Sequence, residues 1–260
     1  MRVLLAALLL AALPAQARGI VTLQTRPGVE LSFFITGMQG VEPKAVALML
    51  IGGGGNIRLR EEGGKLRFGA QNFLPRARRE FIAAGIQPLI LDNPTDQQAG
   101  AGMSDAFRES PEHAADLRAV IAEVKKRFPG LPVFLLTTSR STISGAYQAR
   151  ALGNELAGVV LSSSLFRSRQ GPVLAVFDFS SVAIPLLFVH HRADACHATP
   201  YYDAERVGAK YPLVSVSGGK PPETGPCDPL SAHGYFGKEA ETVAAIAAWM
   251  LGKPYARDIQ

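Results

Sequence analysis

Leu135-Leu136-Thr137-Thr138-Ser139-Arg140-Ser141 is the stretch on which the reading of this chain turns. An apolar run, Leu131 to Leu136, breaks abruptly into a helix-like segment, Thr142 to Leu152, whose first turns carry the small residues Ser144, Gly145 and Ala146. A serine held on so sharp a strand-to-helix turn has its hydroxyl pushed out at the carboxyl edge of a sheet. The residues two before and two after it must be small, because strand and helix nearly touch. Ser139 has that position, with Thr137 and Ser141 flanking it. The same serine also suits a plain helix N-cap, since Ser leads that position.

Outward from this turn, short apolar runs alternate with longer helix-like segments, the pattern of a mostly parallel sheet covered by helices on both faces, an α/β fold. Ile20 to Gln24 and Glu30 to Thr36, joined through Arg26-Pro27-Gly28, read as an opening antiparallel hairpin. Ala45 to Ile51 and Ile86 to Leu91 are continuous apolar runs, as strands buried on both faces require; the first ends in Gly52-Gly53-Gly54-Gly55 and the second in Asp92-Asn93-Pro94. Ser110 as N-cap and Pro111 at N1 open a helix with Ala115, Leu117, Val120, Ile121 and Val124 on its apolar face. Leu156 to Leu161, Ile184 to His190 and Leu213 to Val216 read as strands, and Glu239 to Leu251 as a closing helix that buries Val243, Ile246, Ala247 and Met250. The connections at 92 to 110 and 217 to 236 are long, and long loops in a compact domain are often functional.

Composition bounds the class. With 260 residues, 47% hydrophobic and 19% charged, the chain is neither disordered nor fibrous, and 2 cysteines do not make a disulfide miniprotein. The length suits one domain, 18–260, with no linker dividing it. A net charge of +5 comes without any basic stripe interleaved with aromatics, so nucleic acid is not an expected partner. Arg2, the apolar Val3 to Leu13 and Ala15-Gln16-Ala17 follow the order of a signal peptide, 1–17, cut after Ala17. The apolar part is too short to span a bilayer, and no later stretch is long and apolar enough, so a periplasmic or secreted protein without a membrane span is expected. A monomer or weak homo-oligomer is the expected state.

These residues in this order resemble the α/β-hydrolase fold, and in particular the exported bacterial serine hydrolases (esterase-like) of that superfamily, whose nucleophile turn often reads Gly-x-Ser-Arg-Gly. The likeness extends over nearly all of the chain after the signal. It implies a Gly-rich oxyanion loop after the third strand, a nucleophile after the fifth, an acid after the seventh and a histidine after the eighth. Ile51 to Asn56 matches the loop, Ser139 the nucleophile, Asp194 in Phe188-Val189-His190-His191-Arg192-Ala193-Asp194 the acid, and His233 in Ser231-Ala232-His233-Gly234-Tyr235 the base. The departures are Thr137 and Ser141, where glycines usually stand; the β-branched Thr137 is expected to crowd the turn.

Each role has rivals. Asp203 and Asp228 do not end a strongly apolar strand as Asp194 does, and turn aspartates often serve the backbone alone. His113 lies at a helix start, His190 and His191 on or beside a strand, and His197 close to the acid; His233 is in a polar loop just before the last helix. Gly52 to Gly55 matches neither a dinucleotide fingerprint nor a P-loop, and suits approach of bare backbone N–H groups to an oxyanion. His190, His191, Cys196 and His197 have no standard zinc spacing, so no metal is expected. In an exported chain the two cysteines are expected to be bridged, Cys196 to Cys227, joining the acid loop to the base loop.

The function these features imply is hydrolysis of carboxylic esters or related acyl bonds through Ser139, His233 and Asp194, with backbone N–H groups of Arg140 and of Gly53 or Gly54 as oxyanion donors and no cofactor. The partner is a small-molecule ester or acyl substrate. Leu165 to Ala183, where related enzymes insert a lid, is too short for a large cap; Phe166, Arg167, Phe177 and Phe179 could border the site or simply pack. Arg76, Arg79 and Arg108 could greet an anionic substrate or be solvated. The alternative is an exported binding or scaffold protein on the same fold with a vestigial site.

Overall fold

The structure is a computed structural model that describes residues 19–260 apart from Gln39, Gly64, Ala70, Arg169 and Gln170. The expected signal peptide, Met1 to Ala17, lies outside the described residues. The main sheet is built of β1 (Gly19–Arg26), β2 (Val29–Ile35), β3 (Ala45–Leu50), β4 (Ile86–Leu91), β5 (Val133–Thr138), β6 (Gly158–Ser162), β7 (Leu186–His191), β8 (Leu213–Val216) and β9 (Asp258–Ile259). Their spatial order is β1-β2-β4-β3-β5-β6-β7-β8-β9. β1 and β2 form the expected hairpin, and β2 runs antiparallel to β4. All remaining pairings are parallel.

Central strands read as unbroken apolar runs because both their faces are covered. Side chains alternate between the two layers. Leu48, Leu135, Val159 and Phe188 point into one layer, which is closed by α4 (Pro111–Arg127) and α5 (Thr142–Leu152). Ala47, Met49, Leu136, Val160 and Leu187 point into the other, closed by α1 (Phe73–Arg76), α2 (Arg78–Ala83) and α7 (Glu239–Met250). The start of α4 is as expected: Ser110 Oγ accepts from the His113 N–H at 3.2 Å with Pro111 following. The closing helix buries Val243, Ile246, Ala247 and Met250.

The parallel order places the carboxyl ends of β3, β5, β7 and β8 along one edge, where loops from four distant parts of the chain meet. A short α3 (Asp105–Glu109), capped by Ser104 Oγ accepting from the Phe107 N–H at 3.1 Å, lies within the long 92–110 connection. Between β6 and β7 the described residues hold only a two-residue strand pair and two single 3₁₀ turns, with no large cap. Among the described residues, no helix is long and apolar enough to cross a membrane.

Candidate active site

β5 ends at Thr138, and the chain turns at once into a 3₁₀ turn, Ser139–Ser141, that leads into α5. Ser139 has φ = +54°, a left-handed conformation that non-glycine residues seldom adopt and that costs of order 1 kcal/mol or more. Ser141 stitches this turn: its Oγ donates to Leu50 O at 2.8 Å and accepts from the Thr138 N–H at 2.9 Å. Gly52 lies directly beneath, since a Cβ added there would meet Ser139 Cβ at 2.7 Å.

The crowding expected from Thr137 is relieved across the strand-helix contact. Thr137 is fully buried and donates its hydroxyl to Val160 O on β6 at 2.8 Å. Its bulk faces Gly145 of α5, where an added Cβ would meet Thr137 Oγ1 at 2.6 Å. The missing side chain is on the helix rather than on the strand, and the turn keeps its shape.

Asp194 follows β7 and is buried, with Oδ1 accepting from the Cys196 N–H at 2.9 Å and Oδ2 from the Thr199 hydroxyl at 2.8 Å. The same Oδ2 is 2.9 Å from Nδ1 of His233. Of the 5 histidines in the chain, His233 is the one found within reach of a carboxylate among the described residues. Its Nε2 is buried and has no protein partner there. The backbone carries the ring into place: Ser163 Oγ donates to His233 O at 2.8 Å, and the buried Tyr235 hydroxyl donates to Val189 O at 2.7 Å while accepting from the Ser163 N–H at 3.1 Å. Ser163 and Tyr235 also have positive φ, +44° and +56°, so three of the four described non-glycine residues with that strain surround the site.

Arg76 holds the histidine loop from the other side. Its guanidinium donates to Gly234 O at 2.6 Å and Pro229 O at 3.2 Å and pairs with Glu239 at 2.8 Å. Arg76 is therefore a brace of the histidine loop rather than a solvated charge. Arg108, the second of the three arginines considered, is fully buried, and Arg79 is exposed.

The other histidines are engaged elsewhere. Burial pushes His190 down to about 3; its Nε2 accepts from the Ser164 N–H at 2.7 Å and its ring stacks on Phe166. Burial also pushes His113 down to about 3. His191, lowered by burial, bonds Gly218 O through Nε2 at 3.0 Å. Asp203 is ion-paired to Arg167 and Arg206, and Asp228 Oδ2 accepts from the Gly225 N–H. Phe177 and Phe179 meet edge to face, Phe179 within the core cluster and Phe177 packed against it, rather than at the site.

Cys196 and Cys227 are joined, 31 residues apart in sequence. The bridge ties the Asp194 loop to the loop carrying His233. Cys196, His197 and Cys227 lie close enough to share an ion, but both sulfurs are spent on the disulfide, which leaves no thiolate to ligate one.

A cavity of about 300 Å³ opens at this edge, with Gly52, Gly53, Phe73, Ser139, Cys227 and His233 among its walls. Gly54 lines an adjoining cavity of about 320 Å³ with Asn56 and Arg58. Among the described residues the N–H groups of Gly53, Gly54 and Arg140 have no acceptor, so bare donors stand beside the Ser139 turn. Thr199, whose hydroxyl reaches both Asp194 and His233 Nδ1 (3.2 Å), escaped the sequence reading, because nothing local marks a threonine five residues past an acid.

Strand order, an antiparallel second strand, a strained serine turn after β5 and a lidless carboxyl edge together define the α/β-hydrolase fold. Solved structures of that class resemble the chain closely in shape. An α/β serine hydrolase without a lid from Xanthomonas campestris superposes with a TM-score of 0.58 at 16% identity, over 90% of this chain and 94% of that one. Est1E from Butyrivibrio proteoclasticus gives 0.59 at 13% identity over 90% and 98%. A 2,6-dihydroxy-pseudo-oxynicotine hydrolase gives 0.56 at 14% identity over 94% and 72%. Neither a protein-family model nor a curated protein matches the sequence.

Proposed function

We propose that the protein is a serine hydrolase that transfers an acyl group from a carboxylic ester to water. His233 Nε2 takes the proton from Ser139 Oγ as the oxygen attacks the ester carbonyl; Asp194 holds the imidazole by Nδ1 and stabilises its cation. The N–H groups of Arg140 and of Gly53 or Gly54 receive the tetrahedral oxyanion. The histidine returns its proton to the leaving alcohol, and water releases the acyl group by the same route. This sequence of steps needs no cofactor.

The observation that carries the reading is the histidine: His233 is bonded at Nδ1 to a buried carboxylate at 2.9 Å, has Nε2 without a protein partner, and shares a cavity with a serine at φ +54°. A small, uncapped cavity favours esters of short acyl chains or esters exposed on larger molecules. The disulfide is compatible with export, and with the N-terminal pattern it supports a periplasmic or secreted protein, cut after Ala17, of one domain.

The test is Ser139→Ala, with p-nitrophenyl acetate turnover and fluorophosphonate labelling as readouts. The parent is expected to turn over the ester and take the label; the variant is expected to do neither. A folded parent that takes no label favours a binding protein on this fold, and turnover retained by the variant removes Ser139 from the mechanism.

A further inference from the structure

Arg108 is the largest fully buried side chain among the described residues, and it forms no ion pair there. Its Nη2 donates to Gly53 O at 2.9 Å, its Nη1 to Ser144 Oγ on α5 at 3.3 Å, and its Nε has no partner. Burial, and less so the nearby Arg140 charge, lowers its pKa to about 10, so it remains a cation at neutral pH. A buried cation without a carboxylate is costly, and its few hydrogen bonds are what offset that cost.

What it touches is the glycine loop. Gly53 is on the wall of the Ser139 cavity, and a trans peptide points its C=O and its N–H in opposite directions. Drawing the Gly53 carbonyl towards the guanidinium turns the Gly54 N–H away from it. The segment around Arg108 braces the same loop elsewhere. The Met103 N–H donates to Gly54 O at 2.9 Å, and Ala101 O lies where a Cβ on Gly54 would be, 2.2 Å away. Asp105, one turn before Arg108 on α3, accepts from Arg140 Nε at 2.6 Å. One short segment thus grips both sources of the proposed oxyanion donors.

We propose that Arg108 is a positioning residue for the oxyanion hole: it fixes the Gly53 carbonyl and places a buried positive charge behind the loop that receives the developing oxyanion. This rests on the serine-hydrolase reading above. In Arg108→Met, kcat for p-nitrophenyl acetate is expected to fall about 100-fold with KM changed less than about threefold, as for loss of an oxyanion contact. In Arg108→Lys, which keeps a charge but reaches only one acceptor, kcat is expected to fall about tenfold. Inhibition by a trifluoromethyl ketone, which forms a tetrahedral oxyanion on the serine, should weaken in step with kcat/KM.

A purely structural role predicts instead a lower melting temperature with kcat per folded molecule and ketone affinity both unchanged, and that result overturns the proposal. Should Arg108→Met not fold, Arg108→Lys decides, and parental kcat and ketone affinity in that variant are the refuting result. If Ser139→Ala abolishes turnover while the Arg108 variants keep it, the proposal fails alone; if Ser139→Ala stays active, the serine-hydrolase reading fails first.

Discussion

Replacing both cysteines, Cys196→Ser with Cys227→Ser, separates two things that a disulfide can do. The bridge closes a loop of 31 residues, and in the chain-entropy model its loss relaxes the unfolded state by about 3.7 kcal/mol at 25 °C. For a domain of this size that corresponds to a fall in Tm of roughly 7 to 15 °C. This effect acts on the unfolded chain and by itself leaves kcat untouched. The native-state effect is different. Cys196 follows Asp194 by two residues and donates its N–H to Oδ1 at 2.9 Å, while Cys227 stands in the wall of the Ser139 cavity. Without the bridge the carboxylate and the imidazole lose a shared anchor. Complete loss of the orienting aspartate costs about 10⁴ in kcat in well-studied triads. Here Thr199 and the Cys196 N–H still hold Asp194, so a fall of roughly tenfold is expected. Urea unfolding followed by circular dichroism measures the first effect, and ester turnover at a temperature where both proteins are fully folded measures the second. A stability loss with unchanged kcat refutes the clamp; a stability change under about 1 kcal/mol refutes the entropic reasoning.

Two further predictions concern the core. Gly145→Ala should destabilise the fold by about 1 to 2 kcal/mol despite the better helix propensity of alanine, because the new Cβ meets Thr137 Oγ1 and Leu161 Cδ2, each at 2.6 Å. The cost should shrink when Thr137→Gly is added, and strict additivity in a double-mutant cycle by urea melts would sink the account of Thr137 given above. His113 and His190, both held near 3 by burial against 6.5 in the unfolded chain, set an acid limit. Between those values the unfolded state binds protons that the native state does not, so stability rises with pH and is lost as pH falls below about 6.5. By about pH 5.5 each histidine should have removed about 1.4 kcal/mol, and His113→Gln should flatten the measured dependence; a parent whose stability is level from neutral pH to about pH 5 contradicts their burial as neutral rings.

The features legible in the sequence were those set by neighbours along the chain. β4, β8 and α5 lie where their apolar runs placed them, and the serine turn and the glycine loop follow from where such runs end, whereas the Ser139, Asp194, His233 order is what the resemblance to the α/β-hydrolase fold implies. β5 sits two residues later than its apolar run indicated, because Thr137 and Thr138 continue the ladder opposite Leu161 and Ser162 of β6; a threonine whose hydroxyl finds a carbonyl is as good a buried strand residue as a leucine. α1 and α2, four and six residues long, are too short to carry a usable period, and α6 (Tyr201–Gly208) has only two buried residues; the stability of all three comes from what they touch. Arg76 makes the point most clearly. On its own it reads as one of a cluster of surface arginines, yet it holds carbonyls 153 and 158 residues away and a carboxylate 163 residues away. Arg108 reads the same way and is buried against a loop 55 residues before it. Ser139 and Asp194 are announced by the strands that end just before them, and His233 by its polar loop before the last helix, whereas the groups that hold them in place are long cations whose acceptors are backbone carbonyls. A carbonyl has no residue identity, so no pattern of side chains could have foretold it.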